Sequence, residues 1–249
     1  METADKYAYI KADILRIFKD ENKCRRGYRT VTTELRKTRL INHKTVQRLM
    51  KEMGLYCMVR MKKYRSYKGD VGKIAPNLLN RDFSANQPCN KWVTDVTEFH
   101  LFGQKLYLST ILDLYNSEIV SYTISPTPRF SMVMNMLDEA ICKLPKNSNL
   151  TLHSDQGWQY QMKSYQHKLT ANGIKQSMSR KGNCLDNAVM ENFFRILKTE
   201  LLYIQSFDSM DHFIQELHDY ICYYNNRRIK IKLKGMSPVQ YRTHSNKVA

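Results

Sequence analysis

Apolar residues recur every three or four positions in the first part of the chain, and this spacing predicts helices. The stretch from residue 7 to residue 20 places four of them on one face: Ile10, Ile14, Ile17 and Phe18. Shorter patterns predict helices over Val31–Lys37 and His43–Met53, with Asn42 as N-cap and Gly54 as the C-terminal stop. Two short helices joined by a tight turn suggest a helix-turn-helix, and a plain helical bundle explains the apolar pattern equally well.

From Lys91 onward the pattern changes to one typical of strands. Runs rich in β-branched and aromatic residues, separated by short turns, predict an antiparallel meander over Trp92–His100, Lys105–Leu114 and Glu118–Ile124. Helices are then predicted over Ser131–Leu144, Gln161–Ala171, Asp186–Leu202 and Ser209–Asn225, and strands over Leu150–Ser154 and Ile174–Met178. The order βββαβαβαα predicts a mixed sheet flanked by helices, an α/β layered domain.

The net charge of the chain indicates what kind of partner it binds. Forty Lys and Arg against 23 Asp and Glu give the 249-residue chain a net charge of +17. Nucleic acid is the usual partner of such an excess, and a merely solvated basic surface is the alternative. Residues 57–90 interleave basic residues with tyrosines. They are predicted to form a linker along a phosphate backbone, with Lys62, Lys63 and Arg65 as DNA contacts, unless the linker is simply solvated.

Several classes of protein are disfavoured by the sequence. No stretch approaches the ~20 apolar residues that a membrane-spanning helix needs, and the amino terminus lacks a secretory signal pattern. The six cysteines are scattered without a C-x-x-C pair, which argues against a zinc ribbon and a disulfide framework. We therefore expect a cytoplasmic protein that does not enter a membrane.

Acidic residues in two separate segments are candidates for metal chemistry. Asp95 lies inside an apolar strand, where a lone carboxylate is costly unless it is paired or bound to metal. Asp155 follows the strand Leu150–Ser154, at the carboxyl end where ligand sites of α/β sheets lie. Oxygen ligands without His or Cys suit Mg²⁺ or Mn²⁺, and two such ions can support in-line phosphoryl transfer.

A third acid, Glu191, lies on a predicted helix. At 100° per residue, Glu191 shares a polar face with Asn187, Arg195 and Lys198. One hypothesis is that Glu191 binds metal while its neighbours on this face contact DNA, and the alternative is a surface ion pair.

Other polar residues near these acids have alternative roles. Asp186 is expected to cap the helix of Glu191, and Glu200 is expected to point away from Glu191. Asp113 lies on the second strand and could approach the site. His153 is predicted to face the same side as Asp155, where it either contacts DNA and supports the site or is a buried structural histidine.

These residues stand in motifs that resemble a known family. The motifs are Trp92-Val-Thr-Asp95-Val-Thr, Leu106-Tyr-Leu-Ser-Thr-Ile-Leu-Asp113, His153-Ser-Asp155-Gln-Gly and Asp186-Asn-Ala-Val-Met-Glu191-Asn-Phe-Phe. The chain resembles the catalytic OrfB-type subunit of bacterial insertion-sequence transposases, in the superfamily shared with retroviral integrases. Lys198 stands where that family carries a basic residue. Tyr224-Asn225-x-x-Arg228 matches its closing motif, although Lys230 replaces the usual His.

The resemblance implies a ribonuclease-H-like catalytic core over residues 91–226. A helix-turn-helix-like domain, residues 1–56, would precede the linker, and a basic tail, residues 227–249, would follow the core. Asp95, Asp155 and Glu191 would bind two Mg²⁺ or Mn²⁺ ions, cut the element's ends and support attack by the freed 3′-hydroxyl. Lys198 and Arg195 would hold the DNA end, and further DNA contacts are expected from Lys44, Arg48, Asn187, His153 and Arg228.

The resemblance also implies partners and a location. The DNA partners would be the terminal repeats of the element and the target. The chain begins at Met1 without the upstream reading frame's main DNA-reading helices, so the OrfA product, separate or fused, is an expected partner. Synapsis of two ends implies a homo-oligomer on DNA, in the bacterial cytoplasm at the nucleoid. Two alternatives are a structure-selective nuclease, which cleaves without joining, and a DNA-binding regulator with a silent core.

Overall fold

The amino-terminal part is a small helical unit with a core of its own. The computed structural model of the chain describes residues 6–20, 27–56, 74–146 and 148–248. Helix α1 (Ala8–Leu15) continues as a π-helical turn, and α2 (Tyr28–Leu35) and α3 (His43–Glu52) follow. The apolar faces meet in a buried cluster: Ile14, Ile17, Phe18, Val31, Leu35, Val46, Leu49 and Met50. The predicted N-cap is confirmed, since the Asn42 side chain accepts a 2.9 Å hydrogen bond from the Lys44 amide.

A five-stranded mixed sheet forms the centre of the larger part. Its strands are β1 (Lys91–Leu101), β2 (Gln104–Asp113), β3 (Ile119–Ser125), β4 (Thr151–Ser154) and β5 (Lys175–Met178). They are ordered β3-β2-β1-β4-β5 across the sheet. The first three pair antiparallel, whereas β4 pairs parallel with β1 and β5 parallel with β4. The predicted α/β class with its antiparallel meander is therefore confirmed.

Helices cover both faces of this sheet. They are α4 (Phe130–Cys142), α5 (Trp158–Gln161), α6 (Lys163–Ala171), α7 (Ala188–Leu197), α8 (Met210–Asn226) and α9 (Pro238–Val248). Side chains of α7 and α8 pack on one face in a cluster that includes Val93, Phe193 and Leu217. Those of α4 and α6 pack on the other face with Trp92 and Leu152. Because neighbouring residues of β1 enter opposite clusters, the strand is buried on both sides.

Two predicted segments flank the core. Lys62, Lys63 and Arg65 of the predicted linker lie outside the described residues. The carboxyl-terminal segment predicted as a basic tail contains α9, whose Arg242 Nε donates a 2.7 Å hydrogen bond to Glu118. Within the described ranges, every helix is too short or too polar to cross a membrane.

Candidate active site

The pairing of β1 with β4 brings Asp95 and Asp155 to the same level of the sheet. The parallel register joins Lys91 to Thr151 and Val93 to His153. Asp95 lies two residues after Val93 on β1, and Asp155 lies two residues after His153, directly beyond the end of β4, so this register leads to both acids. Each carboxylate accepts one local backbone hydrogen bond, Asp95 from the Val96 amide at 2.7 Å and Asp155 from the Gly157 amide at 2.8 Å.

The charges of Asp155 and Glu191 both act on the buried carboxyl of Asp95. Burial raises the pKa of Asp95 well above its usual range, and the charges of Asp155 and Glu191 raise that pKa further. Lys198 and the Val96 amide lower the pKa of Asp95, but they offset the increase only in part. Burial also raises the pKa values of Asp155 and Glu191. Three carboxylates therefore converge near the middle of β1.

Helix α7 carries Glu191 across this strand. Its buried face consists of Met190, Phe193, Phe194 and Leu197, which pack against the sheet, while Glu191 is exposed. Lys198 follows α7 and anchors it to β1, since its Nζ donates a 2.9 Å hydrogen bond to the Glu98 carbonyl. The same ammonium lies 5.4 Å from the centre of the Phe99 ring. Arg195 is exposed and donates to the Asn192 side chain at 2.7 Å.

Asn187 does not share the exposed face of Glu191. The predicted helix over Asp186–Leu202 is a 3-10 turn over Cys184–Asn187, then α7, then a π-helical turn. Asn187 is the N-cap residue of α7, with φ of −118° and ψ of 25°, so it lies outside the regular helix for which the 100° spacing was assumed. Asn187 is 4% exposed, and its amide atoms have no hydrogen-bond partner in the protein. A DNA contact by Asn187 does not fit this burial.

The donor set suits a divalent metal ion of the hard, oxygen-binding type. All three side chains offer carboxylate oxygens, and their mutual repulsion favours a bound cation. In the described part of the chain, no three His, Cys, Asp or Glu side chains are grouped so that they could hold one ion together. Ions of the Mg²⁺ type bind through one or two carboxylates plus substrate phosphates and water, so they do not need such a group.

His153 lies inside the protein. Its side chain is fully buried, with Nδ1 hydrogen-bonded to the Ser177 hydroxyl at 2.8 Å and Nε2 to the Ser179 hydroxyl at 3.1 Å. Burial lowers the pKa of His153 from 6.5 to about 4, so the ring is neutral at physiological pH. Of the two roles considered from the sequence, this packing matches the structural one.

The other expected DNA contacts differ in their surroundings. Arg228 donates to both carboxylate oxygens of Glu200, at 2.6 and 2.9 Å, and the two side chains are 20% and 8% exposed. This ion pair is largely buried, so it holds both Arg228 and Glu200 inside the protein. Lys44 and Arg48 are exposed on α3, where Arg48 also pairs with Glu52.

Two further acids have structural surroundings. Asp113 accepts hydrogen bonds from the Trp92 indole and the Cys89 amide, so it organises the end of the meander. Asp186 was expected to cap the helix of Glu191, and that expectation is wrong. Its carboxylate instead bonds to Arg180 and Arg81, because the 3-10 turn directs it into the protein.

One aromatic residue beside the carboxylates was not singled out from the sequence. Tyr160 is buried; desolvation, together with the charges of Asp95 and Asp155, raises the pKa of its hydroxyl well above 10.0. Tyr160 lies in α5, five residues after Asp155, and nothing in the local sequence pattern distinguishes it from an ordinary core tyrosine.

Comparison with protein families identifies three matching segments. Residues 85–184 and residues 191–245 each match a family described as Integrase core domain. Residues 5–64 match a family described as HTH-like domain. The two integrase matches contain all three converging carboxylates, and the third contains α1, α2 and α3.

Comparison with individual proteins identifies close relatives. The chain is 53% identical over 242 residues to the InsK protein of insertion sequence element IS150 from Escherichia coli (strain K12), covering 97% of this chain and 85% of the relative. It is also 53% identical over 215 residues to a transposase-like protein of Haemophilus influenzae, covering 86% of this chain and 99% of that protein.

A solved structure shares the fold. A chain of the simian T-cell lymphotropic virus intasome, determined with the PP2A regulatory subunit B56 gamma, aligns with a TM-score of 0.54 at 19% identity, over 92% of this chain and 73% of that chain. The likeness extends the integrase comparison from sequence to architecture. Taken with the relatives above, it leads to one conclusion: the chain belongs to the insertion-sequence transposases, DNA strand-transferring enzymes built on an integrase core.

Proposed function

We propose that Asp95, Asp155 and Glu191 are the catalytic carboxylates of this transposase and bind two divalent ions, Mg²⁺ or Mn²⁺. The observation that carries the proposal is the register of β1 with β4, which pairs Val93 with His153 two residues before Asp95 and Asp155, while the charge of Glu191 on α7 also acts on Asp95. When bound, the ions activate the attacking oxygen and stabilise the charge on the leaving oxygen of the phosphodiester.

The protein's own residues position the reactants. Asp95 and Asp155, held by backbone amides and largely buried, supply a fixed negative centre, and Glu191 completes it from the more exposed side. Lys198 and Arg195 lie further along the same helical segment, where they would hold phosphates of the DNA end. The reaction is cleavage at the end of the element, followed by attack of the 3′-hydroxyl on a target phosphodiester.

Binding of the element's ends is proposed for the helical unit over residues 1–56. Lys44 and Arg48 are exposed on α3, the second helix of the HTH-like pair, and would meet DNA there. Lys62, Lys63 and Arg65 of the predicted linker over residues 57–90 would follow the phosphate backbone toward the core over residues 91–226, on which the later part of that range packs through Leu79. Because an element has two ends, the active assembly would contain at least two copies, together with the OrfA product, at the nucleoid in the cytoplasm.

A cleavage and joining assay tests the catalytic assignment. The substrates are a duplex with an intact element end and one with a precut end, each with Mg²⁺, and the assay includes the OrfA product. Asp155→Asn and Glu191→Gln should abolish both reactions and change DNA affinity only a few-fold. Glu98→Gln is the matched control, since Glu98 is an exposed acid of β1 paired with Lys105. Activity in both site variants equal to the control would overturn the assignment.

A further inference from the structure

Asp186 is a buried carboxylate at the centre of a polar cluster. The side chain is fully buried and accepts five hydrogen bonds of 2.9–3.0 Å. Three come from Arg180, through its amide, Nε and Nη2; one comes from Arg81 Nε and one from Asn77 Nδ2. These bonds, those of Arg180 above all, hold the pKa of Asp186 well below its usual range. A buried carboxylate needs such partners, so Asp186 fixes the positions of the side chains that donate to it.

The cluster of Asp186 lies beside the proposed catalytic residue Asp155. Arg180 follows Ser179, whose amide donates a 2.9 Å hydrogen bond to the carbonyl of Ser154 at the end of β4. Gln156 donates to the Ser179 carbonyl at 3.0 Å. Asp155 lies between Ser154 and Gln156, so the backbone that carries Arg180 is bonded on both sides of that acid.

Each of the two arginines bonds to Asp186 on its buried side, while the rest of its side chain is exposed to solvent. Their side chains are 50% exposed for Arg180 and 44% for Arg81, above a carboxylate that is fully buried. Arg81 Nη2 also donates to the Asn183 side chain at 3.0 Å. Arg81 adopts a left-handed backbone with φ of 64°, a conformation that is unfavourable for a residue with a side chain. Two guanidinium charges over one carboxylate leave a net positive surface.

We propose that Arg81 and Arg180 form a binding site for DNA phosphate beside the proposed catalytic carboxylates, and that Asp186 is the positioning residue that sets their geometry. A guanidinium has five N–H donors, and the bonds to Asp186 and Asn183 use two of them on each arginine, so the outer donors can meet phosphate oxygens. A guanidinium that a buried carboxylate already holds loses little freedom on binding. Asp186 also joins residues 77–81 to the segment that leads into α7. The inference rests on the proposed catalytic role of Asp155, because that role places the cleavage site.

The experiment measures DNA affinity of the full chain as a function of salt concentration, without metal. The probes are a duplex with the element's end and a scrambled duplex of equal length. Arg81→Gln and Arg180→Gln should each reduce the slope of log affinity against log salt by about 0.9, and the double variant by about 2, on both duplexes. Arg242→Gln is the control, because Arg242 is also a half-exposed arginine paired with a carboxylate, beside β3 at the opposite sheet edge.

The variant Asp186→Asn distinguishes an effect of Asp186 on the position of the arginines from the effect of its charge on DNA binding. Removal of a negative charge alone would strengthen DNA binding, whereas loss of positioning should reduce the slope as the double arginine variant does. Adding Arg180→Gln to Asp186→Asn should then have little further effect. Thermal melting checks that each variant is folded, and if Asp186→Asn unfolds, the arginine variants decide alone.

Two results would overturn the proposal: slopes of the arginine variants equal to that of Arg242→Gln, or stronger binding by folded Asp186→Asn. The assay involves no turnover, so its outcome is independent of the Asp155→Asn test. A failed catalytic assignment and a failed phosphate site are therefore distinguishable.

Discussion

The amine of Lys230 is surrounded mostly by other side chains rather than by solvent. Its Nζ donates a 2.6 Å hydrogen bond to the Tyr224 hydroxyl and lies 4.5 Å from the centre of the same ring. Desolvation, and then the charge of Arg228, lower the pKa of Lys230 from 10.5 to about 7. A lysine with this pKa would be partly neutral at physiological pH.

The Lys230 amine should make stability depend on pH. Between pH 7 and pH 10.5 the unfolded chain holds a proton that the native amine has lost, so the free energy of unfolding rises with pH across this window. Below pH 7 the cost of the buried charge is fully present. From pH 7 to pH 9 we expect a gain of about 1–2 kcal/mol relative to Lys230→Met, measured by urea denaturation.

Lys175→Met is the control for this measurement, since Lys175 is exposed on β5 and its charge is not among those that shift the pKa of Lys230. This variant should show the same gain with pH as the unmodified chain. If the unmodified chain and Lys230→Met keep a constant difference from pH 7 to pH 9, the Lys230 amine is not desolvated as the structure indicates.

At the scale of elements, the short connection between β4 and α5 determines where Asp155 points. Gly157 has φ of −56° and ψ of 143°, a conformation open to any residue, so its lack of a side chain has another reason. A Cβ added there would lie 2.9 Å from Asp155 Oδ1 and 3.2 Å from Gln159 Oε1. The glycine therefore leaves room for the Asp155 carboxylate.

Gly157→Ala should displace that carboxylate without unfolding the protein. We expect metal-dependent cleavage to fall by at least an order of magnitude, because catalytic groups tolerate little misplacement, with a small change in melting temperature. Gly103→Ala should show the opposite pattern. Gly103 has φ of 70° and open space around it, so alanine there costs roughly 1 kcal/mol of stability and leaves cleavage per folded molecule unchanged. Full cleavage by Gly157→Ala would contradict this account of Asp155.

The helix that carries Glu191 shows what local sequence patterns predict and what they miss. The apolar spacing predicted a helix over Asp186–Leu202, and α7 lies within it with Glu191 exposed. The segment before α7 is instead a 3-10 turn, and its Asp186 bonds to Arg81, 105 residues earlier in the chain. A local pattern contains no information about a contact at that separation, so Asn187 was wrongly assigned to the polar face.

At the scale of the whole molecule, the described residues form three apolar clusters. Two lie on opposite faces of the sheet, and the third belongs to α1, α2 and α3 alone. A unit with its own core can unfold separately from the sheet. The chain's two tryptophans, Trp92 and Trp158, both lie in the larger part, so their fluorescence reports on that part only.

Leu49→Ala should therefore separate two unfolding transitions. Leu49 is fully buried, and its truncation costs about 2–5 kcal/mol. In urea, helical circular dichroism should begin to decrease at lower denaturant, while the tryptophan transition stays in place. Leu152→Ala, in the sheet, is the control and should move the tryptophan transition. If Leu49→Ala moves both transitions together, the proposed boundary near residue 56 does not separate folding units.

The sequence alone determined the class of fold, the family and the three candidate carboxylates, because strand alternation, helical spacing and short motifs are local properties of the chain. Only the tertiary structure decided which polar side chains are exposed and which hold the protein together. His153 bonds to β5, Arg228 to Glu200 and Asp186 to two arginines. Burial and charge pairing depend on segments far apart in sequence, and they become visible when the sheet brings those segments together.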